Sequence, residues 1–164
     1  MNVVLGIDPG LANTGYALVV ASSGKMRALD HGTIRTKPST PHAERLRFIH
    51  DQIAALCSRG DITGVAVESW FVHPVSRAAM GMAETRGAVM VAAAGAGVPV
   101  TEYSPNTVKQ SVTGSGSADK AQVRAMVARL CGDRPGTDHA ADAMALAICH
   151  LTGAPLARAI HRAR

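Results

Sequence analysis

A short apolar run, Val3-Val4-Leu5-Gly6-Ile7, stops at Asp8-Pro9-Gly10, and that ending constrains the fold more than any other feature of the chain. The residue before a proline is held extended, so Asp8 completes a strand and its carboxylate is fixed at the strand end. Val65-Ala66-Val67 ends in the same way, at Glu68. Neighbouring strands lie about 4.8 Å apart, and two carboxylates that close repel unless a cation lies between them. Either acid alone fits equally well a turn cap or an arginine partner. On converging strand ends the pair favours a metal.

The intervening segments indicate how the two strands become neighbours. Strands are read at 2–7, 15–20 and 26–34, the last two joined by Ser22-Ser23-Gly24-Lys25, which gives an antiparallel meander. Leu46, Ile49, Ile53 and Leu56 follow helical spacing, with Thr40 as N-cap and Pro41 as the first helical residue. A strand that follows this helix, Ile62–Glu68, makes a crossover and joins the sheet in parallel. Beyond it the pattern predicts helices over 74–94, 105–112, 119–130 and 138–151, and a strand over 98–102. The expected class is α/β: a mixed five-stranded sheet, antiparallel at one end, with helices on both faces. One domain is expected over 1–152, followed by a basic tail at 153–164 that carries Arg158, Arg162 and Arg164.

The third acid, Asp142, stands in His139-Ala140-Ala141-Asp142-Ala143. Positions 139 and 142 share a helix face, which Leu146 and Cys149 extend, and a charge on such a face is costly without a partner. The surrounding alanines let this helix approach the sheet ends. Thr137 is a good N-cap, and Asp138 suits the positive end of the helix dipole. His139 reads as a satisfied core or surface group, or, one turn from Asp142, as a ligand or proton carrier. Cys57, Cys131 and Cys149 form no metal-binding pair and read as buried thiols. Hard oxygen donors without a cysteine set suit Mg²⁺ or Mn²⁺, and two such ions would support phosphodiester hydrolysis.

Seventeen Lys and Arg against twelve Asp and Glu give a formal charge of +5, compatible with a polyanionic partner. No apolar run reaches the length of a membrane span, and the first residues lack the features of an export signal, so a cytoplasmic location is expected. The residues by themselves stop at a divalent-metal phosphodiesterase.

Further motifs carry the reading to a family. LGIDPG at 5–10 with Thr14-Gly15-Tyr16, Gly32-Thr33-Ile34-Arg35-Thr36, Val67-Glu68-Ser69-Trp70-Phe71, Arg86-Gly87, Val108-Lys109-Gln110, 114–120 and Ala140-Ala141-Asp142-Ala143 occur in the order of the RuvC Holliday-junction resolvases. The chain resembles that family over about residues 2–152. The resemblance implies an RNase H-like fold, a homodimer, symmetric paired nicks in a four-way DNA junction by Mg²⁺ or Mn²⁺ chemistry, and partnership with the RuvA–RuvB branch-migration complex. It assigns Asp8, Glu68 and Asp142 as metal carboxylates and His139 to the fourth catalytic position, where some members carry aspartate and the histidine resembles others. It also assigns Lys109 and Lys120 to phosphate and Phe71 to stacking on bases at the crossover. Without the resemblance both lysines pass as solvated charges, Phe71 fits core packing equally well, and Trp70 reads as core or dimer surface. The helix over 74–94, with Val75, Ala78, Ala79, Met82, Val89 and Met90, fits a dimer seam or packing on its own sheet.

Three rivals share parts of the pattern. An actin-like phosphate-binding ATPase has a similar first loop but needs two lobes. A related nuclease of ribosomal RNA processing leaves the segment 114–120 without counterpart. A non-catalytic junction-binding protein would keep the basic surface and need no acids.

Overall fold

The computed structural model describes residues 2–69 and 76–162, with side chains as far as Gly153. Trp70, Phe71, Pro74 and Val75 therefore lie outside the described residues. Strands β1 (Asn2–Asp8), β2 (Asn13–Ser22) and β3 (Lys25–Arg35) precede helix α1 (His42–Cys57), β4 (Ile62–Glu68), α2 (Arg77–Gly95) and β5 (Val100–Tyr103). Helices α3 (Pro105–Thr113), α4 (Lys120–Cys131) and α5 (Asp138–Arg162) complete the order. The sheet runs β3-β2-β1-β4-β5, with β1 antiparallel to β2 and parallel to β4, which is also parallel to β5. The expected mixed five-stranded sheet is present, and β1 and β4, which end in Asp8 and Glu68, are neighbours.

Alternation along the strands divides the core in two. Val3, Leu5 and Ile7 of β1, with Leu18, Val65 and Val67, pack against Ile49 and Ile53 of α1 and Val89, Ala92 and Ala93 of α2. Val4, Ala17, Val19 and Ala66 face the other way, against α3, α4 and Met144, Ala147 and Ile148 of α5. Fully buried side chains such as Leu5 and Ile7 each contribute about 1.5–3 kcal/mol. Since successive side chains alternate, Asp8 and Glu68 share the face of Val4 and Ala66, which is the face α5 covers.

Glycines set how closely α5 lies. A Cβ on Gly6 would overlap the Ala143 carbonyl oxygen, and one on Gly15 would overlap that of His139. The helix backbone thus rests directly on β1 and β2, with Ala140, Ala141 and Ala143 buried beneath it.

Three element boundaries differ from expectation. Thr40 does not cap α1: Pro41, at φ −50° and ψ 139°, takes the cap position without a side-chain bond, and its carbonyl accepts from the Arg45 N–H. The extended backbone at Pro41 leaves Thr40 a residue too early. Helix α2 begins after Ser76, whose hydroxyl accepts from the Ala79 N–H, and not at Pro74. Helix α5 runs to Arg162, past the expected end near Leu151, because one glycine at position 153 costs a helix only about 1 kcal/mol. The three cysteines are free and buried, and among the described residues no helix is long and apolar enough to cross a membrane.

Candidate active site

Asp8 is held from both sides of its strand end. Behind it, the Thr14 hydroxyl donates to the Gly10 carbonyl at 2.8 Å, the Thr36 N–H donates to Ala12 at 3.0 Å, and Arg45 Nε donates to the Thr36 hydroxyl at 2.8 Å. These bonds lock the 9–12 turn. Ahead of it, His139 Nδ1 lies 2.8 Å from Asp8 Oδ2. The Asp8 side chain is 13% exposed and that of His139 45%.

Asp142 follows one turn along α5, and Lys120 Nζ lies 3.7 Å from its Oδ2. Glu68, at the end of β4, meets Asp142 at a cavity of about 280 Å³ lined also by Lys109, Lys120, Pro105 and Val108, and feels the charge of Asp8. Local signals put both lysines there. Gly114, at φ +80°, closes α3 behind Lys109, and Asp119 opens α4 with a reciprocal capping box, Asp119 Oδ1 accepting from Gln122 N and Gln122 Oε1 from Asp119 N. Lys120 is the first helical residue after that cap.

Burial pushes the Glu68 carboxyl above its ordinary range, and the charges of Asp8 and Asp142 push it further, while Lys120 and Lys109 oppose the shift. Asp142 is raised in the same way, by burial and then by Asp8 and Asp138, against Lys120 and His139. Three carboxylates therefore sit within electrostatic reach, and the repulsion shows at Glu68 and Asp142. Among the described residues no group of three His, Cys, Asp or Glu side chains stands close enough together to hold a metal ion as placed. The donors are hard oxygens with surplus negative charge, which fits a divalent cation of the Mg²⁺ or Mn²⁺ kind.

The structure brings together Asp8, Glu68, Asp142 and His139, and places Lys109 and Lys120 beside them; Phe71 falls outside the described residues. Thr137 caps α5 as expected, its hydroxyl accepting from Ala140 N at 3.1 Å, and Asp138 pairs with Arg124. Gly6, Gly15 and the Thr14–Thr36–Arg45 clamp were not singled out for these contacts, which depend on strand pairing and docking that local sequence does not reveal.

The family model for crossover junction endodeoxyribonuclease RuvC matches residues 4–150. The chain belongs to the RuvC family. A relative from Syntrophomonas wolfei of that name is 44% identical over 150 residues, covering 90% of this chain and 87% of the relative. One from Moorella thermoacetica is 43% identical over 155 residues, 93% of each chain. The RuvC protein of Thermus thermophilus in complex with a Holliday junction substrate superimposes with a TM-score of 0.90 at 37% identity, covering 96% of this chain and 97% of that one. A yeast mitochondrial Holliday junction resolvase shares the fold at a TM-score of 0.64 and 14% identity, over 91% of this chain and 77% of its own. Both the RuvC relationship and the RNase H-like architecture read from the motifs are thereby established.

Proposed function

We propose that this RuvC-family chain resolves four-way DNA junctions by hydrolysing one phosphodiester in each of two strands, with Asp8, Glu68 and Asp142 as metal carboxylates. The observation that carries the assignment is the convergence of these acids from β1, β4 and α5 beside Lys109 and Lys120, with the Glu68 and Asp142 carboxyls both raised by burial and then by the charge of Asp8.

When bound, Mg²⁺ or Mn²⁺, two ions in this reading, supplies the charge that activates water and steadies the departing oxygen of an in-line displacement. The protein does the rest. Asp8 and Glu68 present carboxylate oxygens from rigid strand ends, and Asp142 closes the set from the helix. Lys109 and Lys120, on the cavity rim, hold the phosphates on either side of the scissile bond as point charges. In the net reaction the water oxygen forms a bond to phosphorus, the phosphorus–oxygen bond to one sugar breaks, and that sugar oxygen takes a proton. His139, against Asp8, belongs to the set either as a ligand or as the group that moves this proton. Phe71 follows Glu68 closely in sequence, and its role is to stack on bases opened at the crossover.

The reading includes a homodimer, since paired nicks in opposed strands need two such centres. Val89 and Ala79, which fitted either a dimer seam or packing on the sheet, are buried within the protomer, whereas Met80 and Val91 on α2 and Phe48 on α1 are 53%, 63% and 47% exposed and offer the apolar surface instead. It also includes action in the cytoplasm and docking with the RuvA–RuvB complex.

Incubation with a labelled four-way junction, a fork and a linear duplex, in Mg²⁺ and Mn²⁺ separately, tests it. The junction alone should be nicked symmetrically, and Asp8→Asn should abolish nicking while leaving junction binding in Ca²⁺ intact. Absence of nicking by the unaltered protein in both metals overturns the nuclease reading in favour of a non-catalytic junction binder.

A further inference from the structure

Asp8, Gly15 and Thr33 form one row across three strands: Asp8 is paired with Gly15, and Gly15 with Thr33. Ile34 and Ile7, each one residue away, belong to the opposite core, so the row points toward α5. Each member meets the first turn of that helix in a different way. Asp8 takes the His139 side chain, Gly15 makes room for the His139 carbonyl, and the Thr33 hydroxyl lies 2.8 Å from that of Thr137.

These contacts are not equivalent. A glycine seat permits close approach but has no direction, so it limits depth and leaves the helix able to slide or turn. The Asp8–His139 bond has direction, but it uses the carboxylate assigned to the metal. Among the described residues, the Thr33–Thr137 bond is the other hydrogen bond from the sheet to residues 137–142, and it involves no acid of the site. Thr137 is itself fixed, because its oxygen accepts from the Ala140 N–H at 3.1 Å while its carbonyl accepts from the Ala141 N–H at 3.1 Å. Two residues before Thr33 on β3, the strand is tied again, to the segment that leads into α5, by His31 Nε2 at 3.1 Å from Asp133 Oδ2.

We infer that Thr33 is a positioning residue: its hydroxyl holds Thr137, and through it the turn bearing His139 and Asp142, in register with Asp8. The bond lets Asp8 turn toward a cation without releasing the helix that carries Asp142. The structural half of this inference stands without the nuclease reading; the catalytic half rests on it.

The test compares Thr33→Val, which removes the hydroxyl at nearly constant shape, with Thr33→Ser, which restores it. Three quantities are read: amide hydrogen exchange in metal-free protein, Mn²⁺ binding by calorimetry without DNA, and single-turnover junction nicking. Thr33→Val should raise exchange at Ala140, Ala141 and Asp142 by about fivefold, the loss expected for one hydrogen bond, with β1 and β2 unchanged. It should weaken Mn²⁺ binding and slow nicking several-fold at unchanged junction affinity in EDTA, and Thr33→Ser should reverse all three. Unchanged exchange in Thr33→Val, a uniform rise across the sheet, or failure of serine to restore overturns the inference. If the unaltered protein does not nick, the nuclease reading falls, and exchange with Mn²⁺ binding still decides the role of Thr33.

Discussion

The carbonyl oxygen of His139 occupies the space where a side chain on Gly15 would stand, so α5 and β2 meet backbone to backbone in the same cross-strand row as Asp8. Gly15→Ala cannot be absorbed by a rotamer change, because the obstructing atoms are main chain. The helix must lift, which costs roughly 1–3 kcal/mol or more as overpacking and carries His139 and Asp142 away from Asp8. The expected outcome is a fall in melting temperature, measured by circular dichroism, with nicking lost even at temperatures where the variant stays folded. Gly24→Ala, where nothing lies within 4 Å but φ is +76°, is the comparison: a small loss of stability with nicking retained.

The raised carboxyls predict a trade between stability and activity. Glu68 and Asp142 bind protons more tightly folded than unfolded, so the folded state loses stability as pH rises from the ordinary carboxylate range through their raised values. Below that range the penalty is absent; above the raised values it is complete. Glu68→Gln should therefore melt a few degrees higher than the unaltered protein at pH 7 in EDTA, and the gain should vanish in acid. Adding Mn²⁺ should stabilise the unaltered protein more than the variant, since a ligand raises stability only where it binds. An equal or lower melting temperature for Glu68→Gln at pH 7 would contradict the repulsion.

His139 touches Asp8 through an imidazole nitrogen, a donor that suits Mn²⁺ better than Mg²⁺, whereas a carboxylate suits both. Replacing it by aspartate should raise the ratio of nicking rates in Mg²⁺ and Mn²⁺ if His139 is a ligand. A ratio that stays fixed while the pH profile of nicking changes assigns the histidine to proton transfer.

The acids were legible because their signals are local. A pre-proline strand end marks Asp8, a β-branched run marks Glu68, and i, i+3 spacing joins His139 to Asp142. The parallel entry of β4 into the sheet followed from one crossover helix. What escaped depends on geometry that only folding creates. Thr33 is an unremarkable strand threonine until its row partner is known to be Gly15, and Gly6 and Gly15 acquire their role from a helix more than 120 residues later in the chain. Thr40 was misplaced as a cap because Pro41, locked near φ −60°, can precede a helix as readily as begin one. The apolar residues of α2 could not be divided between core and outer surface until its packing on the sheet was fixed.

Strand order has a consequence for when the enzyme can act. Asp8 is in place once β1 pairs with β2, Glu68 only after the crossover through α1 sets β4 beside it, and Asp142 only when α5 settles onto the glycine seats. A nascent or cleaved chain that lacks the last helix keeps two acids at open strand ends and no third. On the proposed reading of the site, the nuclease is therefore armed only by the completion of its own folding.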